Sequence, residues 1–126
     1  MNSYSTDRNI NEEVIRETKE SGLPVVLVGN KDSAYKVAIM LGIEYIEFYP
    51  KPELDKKEHE TEAKELNLKN DTMYVVNNLD YLYNLANKNS CDFIVIRTEH
   101  YNYNLTLKKF TKHNVKAYST SGYDIR

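Results

Sequence analysis

Apolar residues along this 126-residue chain fall into short unbroken runs, separated by stretches in which they recur every three or four positions. Val25 to Val28 and Phe93 to Ile96 are continuous and rich in β-branched side chains, the pattern of strands covered on both faces of a parallel sheet. Met73 to Val76 reads as a third strand of this kind, and Val115 to Ser119 as a short further one. After Val28 the period changes: Ala34, Val37, Ala38 and Leu41 fall on one face of a helix. Leu79, Leu82, Leu85 and Ala86 do the same over Leu79 to Lys88, and Tyr103, Leu107 and Phe110 mark a later helix. Near the amino terminus, Ile10 to Ser21 predicts a polar helix with a thin stripe of Ile10, Val14 and Ile15, stopped by Gly22 and Pro24.

Two segments are less buried by this reading. Ile43 to Tyr49 sets Ile43, Tyr45, Glu47 and Tyr49 against Glu44, Ile46 and Phe48, which predicts a strand near an edge, ended by Pro50 and Pro52. Lys51 to Lys69 intersperses charges of both signs around Ala63 and Leu66, so it is expected as a solvated helix or a mobile insertion. The chain therefore divides into an amino-terminal helical extension, 1–22, and a parallel α/β domain, 23–126, with a charged insertion at 51–70. Asp32 or Ser33 is expected to cap the helix after the first strand, and Gly42 to end it by taking the left-handed conformation.

Strands alternating with helices of about ten residues predict right-handed crossovers. The fold class is thus α/β: one three-layer domain with a four- to five-stranded, mainly parallel sheet of flavodoxin-like or Rossmann-like topology. Function in such sheets sits in the loops at the carboxyl ends of the strands. Here those loops are Gly29 to Ser33, Tyr49 to Lys51, Asn77 to Asp80 and Arg97 to Asn102. Tyr35, Tyr49, Tyr81, Tyr83, Tyr101 and Tyr103 lie at or just beyond the same ends. Tyrosine carries large area and a polar tip, so these rings read either as a partner-binding rim or as lids on the core.

Composition narrows the chemistry. The length suits one domain with its own core, and no apolar run reaches the roughly 20 residues of a membrane span. Met1 to Arg8 has no apolar stretch and no cluster of cations, so no secretory signal is expected, and the lone Cys91 fits a reducing compartment. A net charge of -2 offers no basic footprint for nucleic acid. Gly22, Gly29, Gly42 and Gly122 are too scattered for a dinucleotide fingerprint or a P-loop. His59, His100 and His113 stand apart from one another and from Cys91, without zinc-ligand spacing, and no GxSxG elbow is present.

One acidic grouping carries an alternative. Asp32, Asp80 and Glu99 follow three different strands and could converge to hold a magnesium ion. That arrangement resembles a Toprim domain acting on nucleic acid, but Val28-Gly29-Asn30 has no glutamate before the glycine and Asn78-Leu79-Asp80 keeps one aspartate of the two. The plainer reading makes Asp32 and Asp80 caps or first-turn acids favoured by the helix dipole. An unassigned flavodoxin-like binding module, recognising a nucleotide through its loops, is the third reading.

Gly29-Asn30-Lys31-Asp32-Ser33, then Leu41-Gly42-Ile43, then Asp92-Phe93-Ile94-Val95-Ile96-Arg97-Thr98-Glu99-His100, with Tyr123-Asp124 near the end, form a series with a known counterpart. In order and wording it resembles the small α/β subunit, designated F, in the central stalk of the rotary V-type and A-type ATPases. The likeness spans Val25 to Asp124 and rests on about a dozen positions. The helix before Leu23 and the charged insertion depart from the family pattern. The family's carboxyl-terminal helical tail has no counterpart before Arg126, so the regulation tied to it is not carried over. The resemblance implies a non-catalytic central-stalk subunit that needs no cofactor or metal. Its expected partner is the coiled-coil shaft of the same stalk, the subunit designated D. Gly29, Asn30, Asp32, Ser33 and Gly42 would form the family loop, and Thr98, Glu99 and His100 the strand-end motif. The resemblance also implies a cytoplasmic location, peripheral on a membrane-bound complex, and a part in coupling ATP hydrolysis to proton transport, with no nucleic-acid partner and no membrane insertion of its own.

Overall fold

The computed structural model describes residues 8–9, 11–88, 92–97 and 115–119. In chain order these form β1 (Arg8–Asn9), α1 (Glu12–Ser21), β2 (Val25–Val28), α2 (Lys31–Leu41), β3 (Tyr45–Tyr49), α3 (Lys56–Glu65), β4 (Thr72–Val76), α4 (Leu79–Lys88), β5 (Phe93–Arg97) and β6 (Val115–Ser119). The strands make one sheet in the order β1-β6-β5-β2-β4-β3, and every pairing is parallel.

The unbroken apolar runs split by alternation into two cores. Val25 and Leu27 of β2 face one side with Met73, Val75, Ile94 and Ile96, under Val14 of α1 and Ala34, Val37, Ala38 and Leu41 of α2. Val26 and Val28 face the other with Tyr74, Val76, Phe93 and Val95, under Ala63 of α3 and Tyr81, Leu82 and Leu85 of α4. Helices on both faces of a parallel sheet give the three-layer α/β class read from the sequence. Over the five longer strands in chain order the arrangement is 2-3-1-4-5, the flavodoxin order 2-1-3-4-5 with first and third strands exchanged.

The amino-terminal segment, read as an extension, is built into this body. Asn11 caps α1, its side chain accepting from Val14 N at 2.8 Å, Val14 is 2 % exposed, and Arg8–Asn9 pair with β6 as a sixth strand. The charged insertion likewise contains an anchored helix. Asp55 and Glu58 close a capping box on α3, and Ala63 is fully buried beneath it, with Leu66 and Leu68 packed alongside.

The direction of the crossovers positions the loops. The β2–α2–β3 connection runs toward one edge with its helix on the first face. The β3–α3–β4 and β4–α4–β5 connections run the other way with helices on the second face. Central β2 therefore sends its chain to one face while its neighbour β4 sends its own to the other, and the carboxyl ends of these two strands flank the point where the sheet order reverses.

Candidate functional site

Across the carboxyl edge the register row runs Tyr49, Val76, Val28, Arg97, Ser119, Asn9. Gly29 continues the ladder by donating its backbone N–H to Val76 O at 3.2 Å, so the two diverging loops leave from one hydrogen-bonded step. The expectation that Asp32 or Ser33 caps α2 is corrected here. The helix begins at Lys31, and the cap is Asn30, whose Oδ1 accepts from Ser33 N at 2.9 Å. Asp32 is an exposed acid in the first turn, where the helix dipole favours it, and Ser33 is buried as the amide donor. Asn78 does the same for α4, accepting from Tyr81 N at 2.7 Å, and Asp80 is that helix's exposed first-turn acid. Gly42 ends α2 as read, with φ 69°. Replacing Asn30 by alanine is expected to cost about 1 kcal/mol, read as a lower urea midpoint, with Asn30→Asp recovering most of it.

The tyrosine rim divides. Tyr49 and Tyr81, read as part of a partner surface, are 8 % and 3 % exposed and belong to the core, which corrects that reading. Tyr49 stacks on Tyr81 with ring centroids 6.1 Å apart and lies 6.2 Å from Tyr74. The hydroxyls decide why rings with polar tips sit so deep. Tyr81 donates to Glu62 Oε1 at 2.7 Å, and the same oxygen accepts from Lys51 N at 3.3 Å. Tyr49 donates to the Glu47 carboxylate. Tyr74 accepts from Lys69 N at 2.7 Å and donates to Asn67 O at 3.2 Å. His59 Nε2 lies 3.1 Å from Lys51 O and, facing a carbonyl, is the donor. Three of these bonds tie the rings to the charged segment after β3, through Glu62, Asn67 and Lys69, so α3 and its flanks lie over the ring cluster.

Burial pushes all three phenols above the ordinary tyrosine value. The carboxylates beside Tyr49 and Tyr81 push further, whereas the Lys69 amide pulls Tyr74 partly back. Phenols held protonated in this way donate hydrogen bonds and do not serve as bases near neutral pH.

Tyr83 remains at the surface side, half-buried in a groove of about 550 Å³ between α3 and α4 that also takes in Lys56, His59, Glu60, Asp80 and Asn84. Its walls mix both signs of charge. Among the described residues no group of three His, Cys, Asp or Glu side chains is placed to hold a metal ion. For the magnesium alternative, Asp32 and Asp80 are accounted for in first turns, and Glu99 lies outside the described residues. So do Thr98, His100, Tyr101 and Tyr103.

Sequence reasoning placed Tyr35 on the open rim but missed Ile39 and Tyr45 as exposed apolar surface. The large hydrophobic side chains most exposed among the described residues are Tyr35 at 49 %, Ile39 at 80 % and Tyr45 at 61 %. Tyr35 and Ile39 stand one turn apart on the outward side of α2, and Tyr35 meets Phe48 of β3 edge-on at 5.9 Å. Lys31 Nζ sits 5.3 Å from the same Phe48 ring. Tyr45 belongs to β3 itself, which is the last strand of the sheet and pairs only on its β4 side among the described residues. The signal was present in the sequence: Ile39 falls off the stripe of Ala34, Val37, Ala38 and Leu41, on a face that should be polar.

Searches of known protein families, of curated proteins and of solved structures find no match to this chain. No helix among the described residues is long and apolar enough to cross a membrane.

Proposed function

We propose that this domain is a non-catalytic interaction subunit that docks a partner protein along the flank made by α2 and the edge strand β3. One observation carries the reading: Tyr35, Ile39 and Tyr45 expose apolar surface beside a strand edge that has no pairing partner among the described residues. Rings and branched chains left in water beside such an edge mark interaction surfaces. The tyrosine hydroxyls of the neighbouring cluster are taken up in internal bonds, which supports a structural use for them over a chemical one.

In its specific form the partner is a coiled coil, and the domain is a small central-stalk subunit, cytoplasmic and peripheral on a membrane-bound rotary ATPase of the V or A type, helping to couple ATP hydrolysis to proton transport. The sequence likeness at Gly29 to Ser33, Leu41 to Ile43 and Asp92 to Arg97 supports that form, as does an α2 face offering Tyr35 and Ile39 at helical spacing to a second helix.

The test is a calorimetric titration of the full chain with the coiled-coil shaft protein of the same organism's rotary ATPase. Saturable binding is expected, and Ile39→Asp should weaken it by about a hundredfold while leaving the melting temperature within a few degrees, since the residue is exposed. Absence of binding by the unmodified chain would overturn the stalk reading. Binding untouched by Ile39→Asp would overturn the docking flank.

A further inference from the structure

The two edges of the sheet are guarded differently. One ends in β1, a strand of two residues, which gives another chain almost nothing to pair with. The other ends in β3, Tyr45-Ile46-Glu47-Phe48-Tyr49, five residues with neither the proline nor the lysine that commonly blunts an open edge. Among the described residues β3 is paired on its β4 side alone. Such an edge is complementary to an antiparallel copy of itself, related by a two-fold axis normal to the sheet.

Side-chain chemistry selects the register. Pro50 closes the strand, so an axis that keeps the ladder long passes through Ile46 or through Glu47. Centring on Glu47 sets that carboxylate directly against its own copy, which like charge disfavours. Centring on Ile46 sets Ile46 against Ile46, Tyr45 against Glu47 and Glu44 against Phe48, each of the last two pairings occurring twice. These pairings are complementary. Glu44 is exposed and by alternation shares a face with Phe48, and Lys31 Nζ lies 5.3 Å from the centre of the Phe48 ring, so each copy brings a carboxylate to the other's ammonium. On the opposite face Tyr45, 61 % exposed, meets a Glu47 carboxylate that accepts the Tyr49 hydroxyl and has a second oxygen to offer.

Helix α2 fits the same axis. Tyr35 meets Phe48, and from Tyr35 to Ile39 the helix advances about 6 Å while from Phe48 back to Ile46 the strand covers about 6.6 Å. Ile39 therefore stands level with Ile46, where its exposed side chain would face its own copy across the axis.

We propose that two copies of this chain join through β3, antiparallel and centred on Ile46, into one continuous sheet with the two α2 helices side by side on one face. The inference rests on the reading of this flank as an interaction surface and names its occupant in the free chain. A coiled-coil partner then binds by displacing the second copy.

Sedimentation equilibrium of the full chain from about 10 μM to about 1 mM is expected to show monomer and dimer in exchange, with a midpoint at about 100 μM. Lys31→Glu and Glu44→Lys, both at exposed positions, should each weaken the dimer about tenfold, and the two combined in one chain should restore it. With Cys91→Ser as background, Ile46→Cys should oxidise to a linked dimer, since facing residues of antiparallel strands stand about 4.5–5.5 Å apart at Cα, and Glu47→Cys should not. Three results would overturn the proposal: a monomer across the whole range, a dimer indifferent to both charge reversals, or linkage through Glu47→Cys in place of Ile46→Cys. The shaft titration fails or succeeds separately. A monomer that binds the shaft removes the self-association alone, and a dimer that ignores the shaft removes the stalk reading alone.

Discussion

Raising the pH above about 10 is expected to unfold this domain over a narrow interval, because three buried tyrosines keep their protons in the fold and lose them outside it. Tyr49, Tyr74 and Tyr81 all have raised folded-state values against an ordinary 10.0, through burial first and, for Tyr49 and Tyr81, through the adjacent Glu47 and Glu62. The sign follows directly. Below the ordinary value both states hold the protons, and stability from these groups does not vary with pH. Above it the unfolded chain releases them while the fold retains them, so stability falls as pH rises. Each phenol contributes a slope of up to about 1.4 kcal/mol per pH unit, and the three together about 4. A typical domain total of about 5–15 kcal/mol would be consumed within a few pH units. Urea midpoints at increasing pH, with phenolate absorbance in the near ultraviolet, measure this. The phenolates of Tyr49, Tyr74 and Tyr81 should arrive together with loss of the circular dichroism of the fold. Tyr81→Phe should flatten the alkaline slope by about a third. Smooth ionisation of every tyrosine with the fold intact would show that the Tyr49–Tyr81 stack is open to water.

The same cluster marks where sequence reasoning stops. Strands β2 and β5 were legible because both faces of a central parallel strand are covered, which leaves an unbroken apolar run that no surface element shares. The edge position of β3 was legible in its alternation. Helix α2 was legible in its spacing, but its start was not. Asn30, Asp32 and Ser33 are all competent caps, and only the backbone, extended at Asn30 with ψ 175°, selects one. The depth of Tyr49 and Tyr81 was hidden for a related reason. A tyrosine suits a rim or a core equally, and the choice fell to α3, a helix whose charged sequence reads as solvated but whose Glu62 reaches in to accept the Tyr81 hydroxyl. The pairing of Arg8–Asn9 with β6 is two residues long, too short for any period to register. A cavity at the amino edge is drawn from the ends of α1 and α2 and from the residues leading into β2, β3 and β4, so no local pattern announces it.

The opposite ends of the sheet thus carry different resources. Among the described residues at the carboxyl edge, Asn30 and Asn78 cap their helices and Glu62 takes two donors. A site so closed upon itself is suited to holding shape. At the amino edge the Thr18 hydroxyl is left unpaired, and the carboxylates of Glu44 and Asp71 outnumber the ammonium of Lys19.

Truncating Phe93 to alanine is expected to destabilise the domain by about 3–5 kcal/mol, with the slope of the denaturation curve unchanged. Phe93 opens β5, is fully buried, and sits in the second core with Val26, Leu82 and Leu85. Two features keep the site from collapsing around the loss. Strand β5 is held on both sides, Ile94 in register with Val25 of β2 and Phe93 with Val115 of β6, and Ile94 N donates to Pro24 O at 2.9 Å, so the backbone cannot settle inward. Above it α4 is fixed by Tyr81 and Leu85, which are themselves locked in the core. A void therefore persists, and its lining loses contacts that nothing replaces. The matching truncation at Ile46 offers a comparison, since that residue is half-buried on the edge strand and should cost less than half as much. Equal effects at the two positions, or a cost below about 1 kcal/mol at Phe93, would place β5 at the margin of the sheet and undo the central β5-β2-β4 order on which the docking flank depends.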